Sequence, residues 1–319
     1  MSAITLDGFC RHLVDGRGPG GRLYPAPLAG EFVDFFGLSA FPRMEEIKTL
    51  LERHGVATVN LSHDMKGLRG YHTGEKGGVY QITLDAAESV SAREHSALHE
   101  TYEIVRERLH DLFPHVAEPH GTAKCRQADR FAASALMQPQ WFSLFAQASG
   151  FDAVALHETY GRAYSSLAIR LAEVMRHQPL LSVLYERDEE GEPWEWEPNP
   201  ATDIFPAKVV ARTPGFRLRT RRRPLSVLRG LLPRRDDAPA PGSVAERVIL
   251  TGKPVYVERV SGYDLWRNDD VTVAARPVVW YGRIAKVALV AVPYRDRSVL
   301  APQLGHAAFE RIARAHQVI

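Results

Sequence analysis

At 319 residues the chain is long enough for two domains with separate hydrophobic cores. Its 45% hydrophobic and 24% charged content excludes a disordered chain, and a net charge of +2 excludes a surface built throughout for a polyanion. The two cysteines, Cys10 and Cys125, make no disulfide framework. With no basic-then-apolar leader and no 18-residue apolar run, the expectation is a cytoplasmic protein without a membrane partner.

In chain order, residues 1–43 are rich in Gly and Pro and read as an N-terminal arm with a short helical piece around 30–36. Met44–His54 is a predicted helix closed by Gly55, and Val56–Leu61 alternates as a strand. The glycine-rich stretch 66–78 reads as a loop or irregular strand, and Val79–Leu84 as a second strand. A helix is then expected from Ser91, the predicted N-cap, with Glu94 completing a capping box. Leu98, Tyr102, Val105, Leu109 and Leu112 form its apolar stripe.

On the flank of that stripe lie His95, His99 and Glu103, one turn apart, with Glu100 beside them. H-E-x-x-H on a helix is a zinc-peptidase signature, in which two His hold the metal and the Glu handles the water proton. Here the motif reads His99-Glu100-Thr101-Tyr102-Glu103, and a carboxylate is an acceptable zinc ligand. A solvated, charged helix face explains the same residues without metal.

An Ala-rich helix follows over Thr122–Met137, then three shorter ones over Phe142–Ser149, Asp152–Tyr160 and Tyr164–His177. From Pro179 the pattern changes to strands at Leu180–Glu186 and Pro206–Arg212, with an acidic turn between them. Nine arginines and no acidic residue lie between Arg212 and Arg235. With Phe216 the one aromatic among them, this run reads as a solvated loop, and a nucleic-acid partner is not expected. A helix at Ser243–Thr251, strands at Pro254–Arg259, Val271–Trp280 and Ala285–Val292, and a closing helix at Pro302–His316 complete the chain.

This order of elements, with the stretch Cys125-Arg126-Gln127-Ala128-Asp129-Arg130-Phe131-Ala132-Ala133-Ser134-Ala135-Leu136-Met137, resembles the ImmA/IrrE metallopeptidase family. That family's second motif is E-x-x-A-N-x-F-A-A-x-x-L-M-P, whose Glu is the third zinc ligand. The stretch Ser243–Val257 and the run V-A-L-V-A-V resemble the GAF-like module of the longer members. The resemblance implies an α+β fold: a zincin-like peptidase domain (44–139), a helical, helix-turn-helix-like segment (140–178) and a GAF-like α/β sensor domain (179–319). It implies zinc held by His99, Glu103 and Cys125, with Glu100 as the base and His95 as a substitute ligand. Tyr71, His72 and Tyr102 are the candidates for a second oxyanion donor, and substrate would lie extended beside Val79–Leu84. The implied partner is a helix-turn-helix repressor that is cleaved or bound in a stress or gene-transfer response. The alternative is an inactive peptidase-like shell that holds a partner protein while its GAF-like module reads a small ligand, and a third reading is direct DNA binding through residues 152–177, where Gly161 forms a turn between two helices.

Overall fold

The structure is a computed structural model and describes residues 4–16, 24–75, 79–114, 124–188, 205–216, 233–260 and 271–304. It is a mixed α+β chain that divides into two units, Met1–Trp141 and Phe142–Ile319, each with its own sheet. Among the described residues, no helix is long and apolar enough to cross a membrane.

In the first unit the Gly- and Pro-rich start forms two helices, α1 (Leu6–Asp15) and α2 (Pro25–Phe36). Thr5 caps α1 by accepting the Gly8 N–H, and Pro25 opens α2, where a missing N–H costs nothing. Both contribute to the core: Phe9, Phe32 and Phe36 are buried with ring centroids 4.8–5.7 Å apart. The predicted helical piece around 30–36 is thus the second half of a longer helix. Next come α3 (Met44–Arg53), β1 (Thr58–Ser62), β2 (Gly70–Glu75) and β3 (Val79–Asp85). The glycine-rich stretch contains a regular strand, β2, which pairs antiparallel to β3, while β1 pairs parallel to it. The order is β1-β3-β2, so β3 is central and β2 lies at an edge.

Helix α4 (Val90–Leu112) crosses this sheet against β2 and β3. At 23 residues it is about 35 Å long. Its N-cap is Ser89, whose hydroxyl accepts the Ala92 N–H at 3.2 Å, rather than the predicted Ser91. Glu94 does not close a capping box. It is buried, and its carboxylate accepts the Met44 N–H at 2.9 Å, capping the first turn of α3 instead. Leu98, Tyr102, Val105 and Leu109 are buried as the stripe predicts, and Leu112 is half-buried. Helix α5 (Lys124–Leu136) lies on α4 and α2, with Ala128, Ala132 and Ala135 buried at the contacts.

Helix α6 (Pro139–Ala148) carries the chain into the second unit, where α7 (Ala153–Tyr160), α8 (Tyr164–Val174), β4 (Leu181–Glu186) and β5 (Ala207–Arg212) follow. After them come α9 (Val244–Thr251), β6 (Val255–Val260), β7 (Val271–Trp280) and β8 (Arg283–Pro293). A 3-10 helix (Tyr294–Leu300) and α10 (Ala301–Leu304) end the described chain. The five strands form one antiparallel sheet in the order β5-β4-β8-β7-β6. Its core, including Leu181, Val183, Val273, Val287 and Leu289, packs with Ala245 and Val248 of α9. The acidic turn beyond Asp188, most of the arginine-rich stretch and the residues beyond Leu304 expected as the closing helix lie outside the described residues.

Candidate metal centre

His95 and His99 stand one turn apart on α4, so their rings project from the same face. The facing helix is held close by small side chains: Ala128 and Ala132 are fully buried, and Tyr102 packs on Phe131 at 5.4 Å. The Tyr102 hydroxyl donates to Gln127 Oε1 at 2.8 Å and fixes α5 along its axis. That docking brings Asp129, two residues further, opposite the two rings. Its Oδ1 lies 3.2 Å from His95 Nε2 and 2.9 Å from His99 Nδ1. The site is open to water, with side-chain exposures of 39%, 21% and 55% for His95, His99 and Asp129. The hydrogen bond from His95, with that from His99, holds the Asp129 carboxyl below the usual carboxylate range.

The three donor atoms all lie within 4.8 Å of one another. Donors about 2.1 Å from a tetrahedral zinc would be about 3.4 Å apart, so the two imidazole–carboxylate separations fit such an ion after small side-chain adjustments. Two imidazoles and a carboxylate are also a donor set that zinc accepts. Among the described residues this is the one group of three His, Cys, Asp or Glu side chains whose ligand atoms all lie within 4.8 Å of one another.

His99 is therefore common to the sequence-derived set and the observed one, and His95, expected as a substitute, is in the converging group. Glu103 instead receives Arg106 Nη1 at 3.3 Å. Cys125 is exposed on α5, one turn before Asp129. Asp129 was legible only indirectly. The i, i+4 histidine pair is visible as His95-Ser96-Ala97-Leu98-His99, but nothing local in Gln127-Ala128-Asp129-Arg130 marks the carboxylate that meets it.

A second constellation lies beside the first. His72, on the edge strand β2, is mostly buried, with Nδ1 2.7 Å from Glu100 Oε2 and Nε2 3.1 Å from Glu107 Oε1. The two carboxylates, Glu100 first, raise the His72 pKa to about 9, so the ring is a cation at neutral pH. It ties β2 to α4 and occupies the Glu100 carboxylate. Tyr71, its neighbour on β2, is 41% exposed, whereas Tyr102 is fully buried with its hydroxyl on Gln127. Because β3 is paired on both sides, an extended segment cannot add beside it as the sequence suggested; the edge nearest α4 is β2.

In the second unit, α7 and α8 flank Gly161, which adopts the left-handed conformation (φ 64°) that ends α7. Helix α8 packs on β4 and β5 through Leu167, Ala168 and Leu171, and its single cationic residue, Arg170, is buried beside Glu173. Its outward face presents no positive charge for a phosphate backbone.

No protein-family model matches the chain, and no curated protein matches it by sequence. Among solved structures, a Mycobacterium tuberculosis transcriptional regulator is similar with a TM-score of 0.52 at 11% identity, covering 94% of this chain and 84% of that one. At that identity the likeness concerns the fold.

Proposed function

We propose that this chain is a regulatory protein whose first unit is a zincin-like shell that binds a divalent metal, zinc foremost, through His95, His99 and Asp129. The convergence of those three side chains carries the reading. The second unit is the GAF-like module of the resemblance, reading a small ligand. The transcriptional regulator of similar fold supports the regulatory assignment, as does the ImmA/IrrE resemblance, which supplies a helix-turn-helix repressor as the partner.

His95, His99 and Asp129 would hold the metal, and a bound zinc would supply Lewis-acid chemistry toward a carbonyl or a water. The chain's own residues favour holding a partner over cleaving it. With His95 and His99 as the ligand pair, the place of the H-E-x-x-H glutamate falls on Ser96, a nearly buried hydroxyl that takes no proton near neutral pH. Glu100 is one turn further along and is engaged by His72 at 2.7 Å. An extended partner segment would add to the β2 edge, beside Tyr71 and His72, through backbone hydrogen bonds. Hydrolysis with Glu100 as base is the second reading, favoured by its place directly after His99 and by its part-buried carboxylate.

Zinc content after purification without chelator tests the assignment. About one equivalent per chain is expected, falling at least tenfold in His95→Ala and Asp129→Ala. Zinc retained by both variants but lost from Glu103→Gln and Cys125→Ser would move the site to the other donor set.

A further inference from the structure

Strands β7 and β8 run on past the other strands of their sheet. Strand β6 pairs with β7 no further than Ala275, and the β4 side reaches β8 no further than Ala285, which accepts the Arg187 N–H. Outward from Arg276 and Ile284, the described sheet is a two-stranded ribbon that ends in a two-residue turn, Tyr281-Gly282. Its base is fixed by ion pairs of Arg276 with Asp152 and of Lys286 with Glu186.

A two-stranded ribbon is marginal in water by itself, and this one carries large apolar side chains where polar ones would suit it. Val279, Trp280 and Tyr281 are 54%, 54% and 65% exposed. Both turn residues are left-handed, with φ 47° at Tyr281 and 76° at Gly282. Such a turn suits Asn-Gly, and a bulky side chain at its first position is disfavoured. The turn therefore holds a strained aromatic that chain reversal does not require, with its ring 24° from parallel to that of Trp280.

Trp280 and Arg283 are cross-strand partners, so their side chains share one face with Cβ atoms about 5 Å apart. Val279 and Ile284 share the other face, where Ile284 packs against the sheet core. No Asp or Glu occurs between 271 and 293. Arg276 and Lys286 are already paired, but Arg283 has no ion pair among the described residues. Its Nη1 is shielded from water without a hydrogen-bond acceptor.

We infer that this tip is a docking point for an acidic protein segment. A bulky apolar side chain of the partner lies on Trp280 and Tyr281, and a neighbouring carboxylate takes the Arg283 guanidinium. Trp, Tyr and Arg are the side chains that carry most binding energy at protein interfaces, and a guanidinium meets a carboxylate with two parallel hydrogen bonds. Charge selects among the occupants. Nucleic acid and anionic bilayers are held by several cations at once, whereas this ribbon has one unpaired. A second copy in a two-fold contact would set Arg283 against Arg283.

The test selects a phage-displayed library of random peptides on the full chain. Recovered peptides should carry Asp or Glu close to a bulky apolar residue and bind at least tenfold more weakly to Trp280→Ser and to Arg283→Glu. Replacing the peptide's acid with Lys should restore binding to Arg283→Glu. Tyr281→Asn, which suits the turn, should raise the second unit's thermal midpoint while weakening the peptide severalfold. Recovery of no peptide that depends on both Trp280 and Arg283, or failure of the Lys peptide to rescue, would overturn the proposal. Trp280-dependent binding of oligo-dT or of phosphatidylserine–phosphatidylcholine vesicles, or Trp280-dependent self-association, would overturn it in favour of that occupant.

Discussion

Removing the His72 ring should cost stability in a way that depends on pH, with a sign the structure dictates. The His72 cation sits between Glu100 and Glu107, and its pKa rises from 6.5 to about 9. At 1.36 kcal/mol per pH unit this corresponds to about 3 kcal/mol of native-state stabilisation. Glu107 is 54% exposed and screened by water, so the realised figure falls to about 1.5–3 kcal/mol. A folded-state pKa raised above the unfolded one gives stability fully present below about pH 6.5 and lost as pH rises through about 9. His72→Gln should therefore destabilise the first unit near pH 6 and match the parent above pH 9.5. Urea unfolding of parent and variant from pH 5.5 to 10 measures the difference directly, and the His72 ring proton in NMR should titrate near 9. A difference independent of pH, or a His72 titration near 6.5, would refute the clamp.

Glu94→Ala should destabilise the first unit by about 1–3 kcal/mol in urea unfolding, because it leaves the part-buried Met44 N–H without its acceptor. Glu94→Gln, which keeps an acceptor oxygen, should cost less than half of that. Gly150→Ala combines a left-handed backbone with contacts of 3.2 Å to Pro302 and Gln303 and should lower stability by about 1–3 kcal/mol, read in the second unit's thermal transition. Phe131→Ala, at a fully buried position against Phe32 and Tyr102, should cost about 3–5 kcal/mol by calorimetry of the first unit.

The helices and strands of both units were largely legible, because their apolar periodicity survives in the packing. The stripe Leu98–Tyr102–Val105–Leu109 is the floor of α4, and the β-branched runs at 271–279 and 284–292 are paired strands. What sequence spacing misread involved long-range partners. Glu94, spaced as a capping-box residue within its own helix, instead accepts the Met44 N–H and caps a helix fifty residues earlier. The glycines at 70 and 74 left a loop and an irregular strand both open, and pairing with β3 makes the stretch a strand. At the site, i, i+4 spacing identifies side chains sharing a face but not which neighbours take them. Glu103 is drawn to Arg106 and Glu100 to His72, while His95, one turn earlier, meets Asp129 from another helix.

The donor set is the claim on which the account stands, and cobalt substitution reads it most directly. Co(II) added to metal-free protein at neutral pH should bind at about one equivalent and give visible ligand-field bands of a nitrogen- and oxygen-ligated ion. No thiolate-to-cobalt charge-transfer band should accompany them, and the spectrum should be unchanged in Cys125→Ser and abolished in Asp129→Ala. A thiolate band that disappears with Cys125, or a spectrum indifferent to Asp129, would contradict the His95–His99–Asp129 centre.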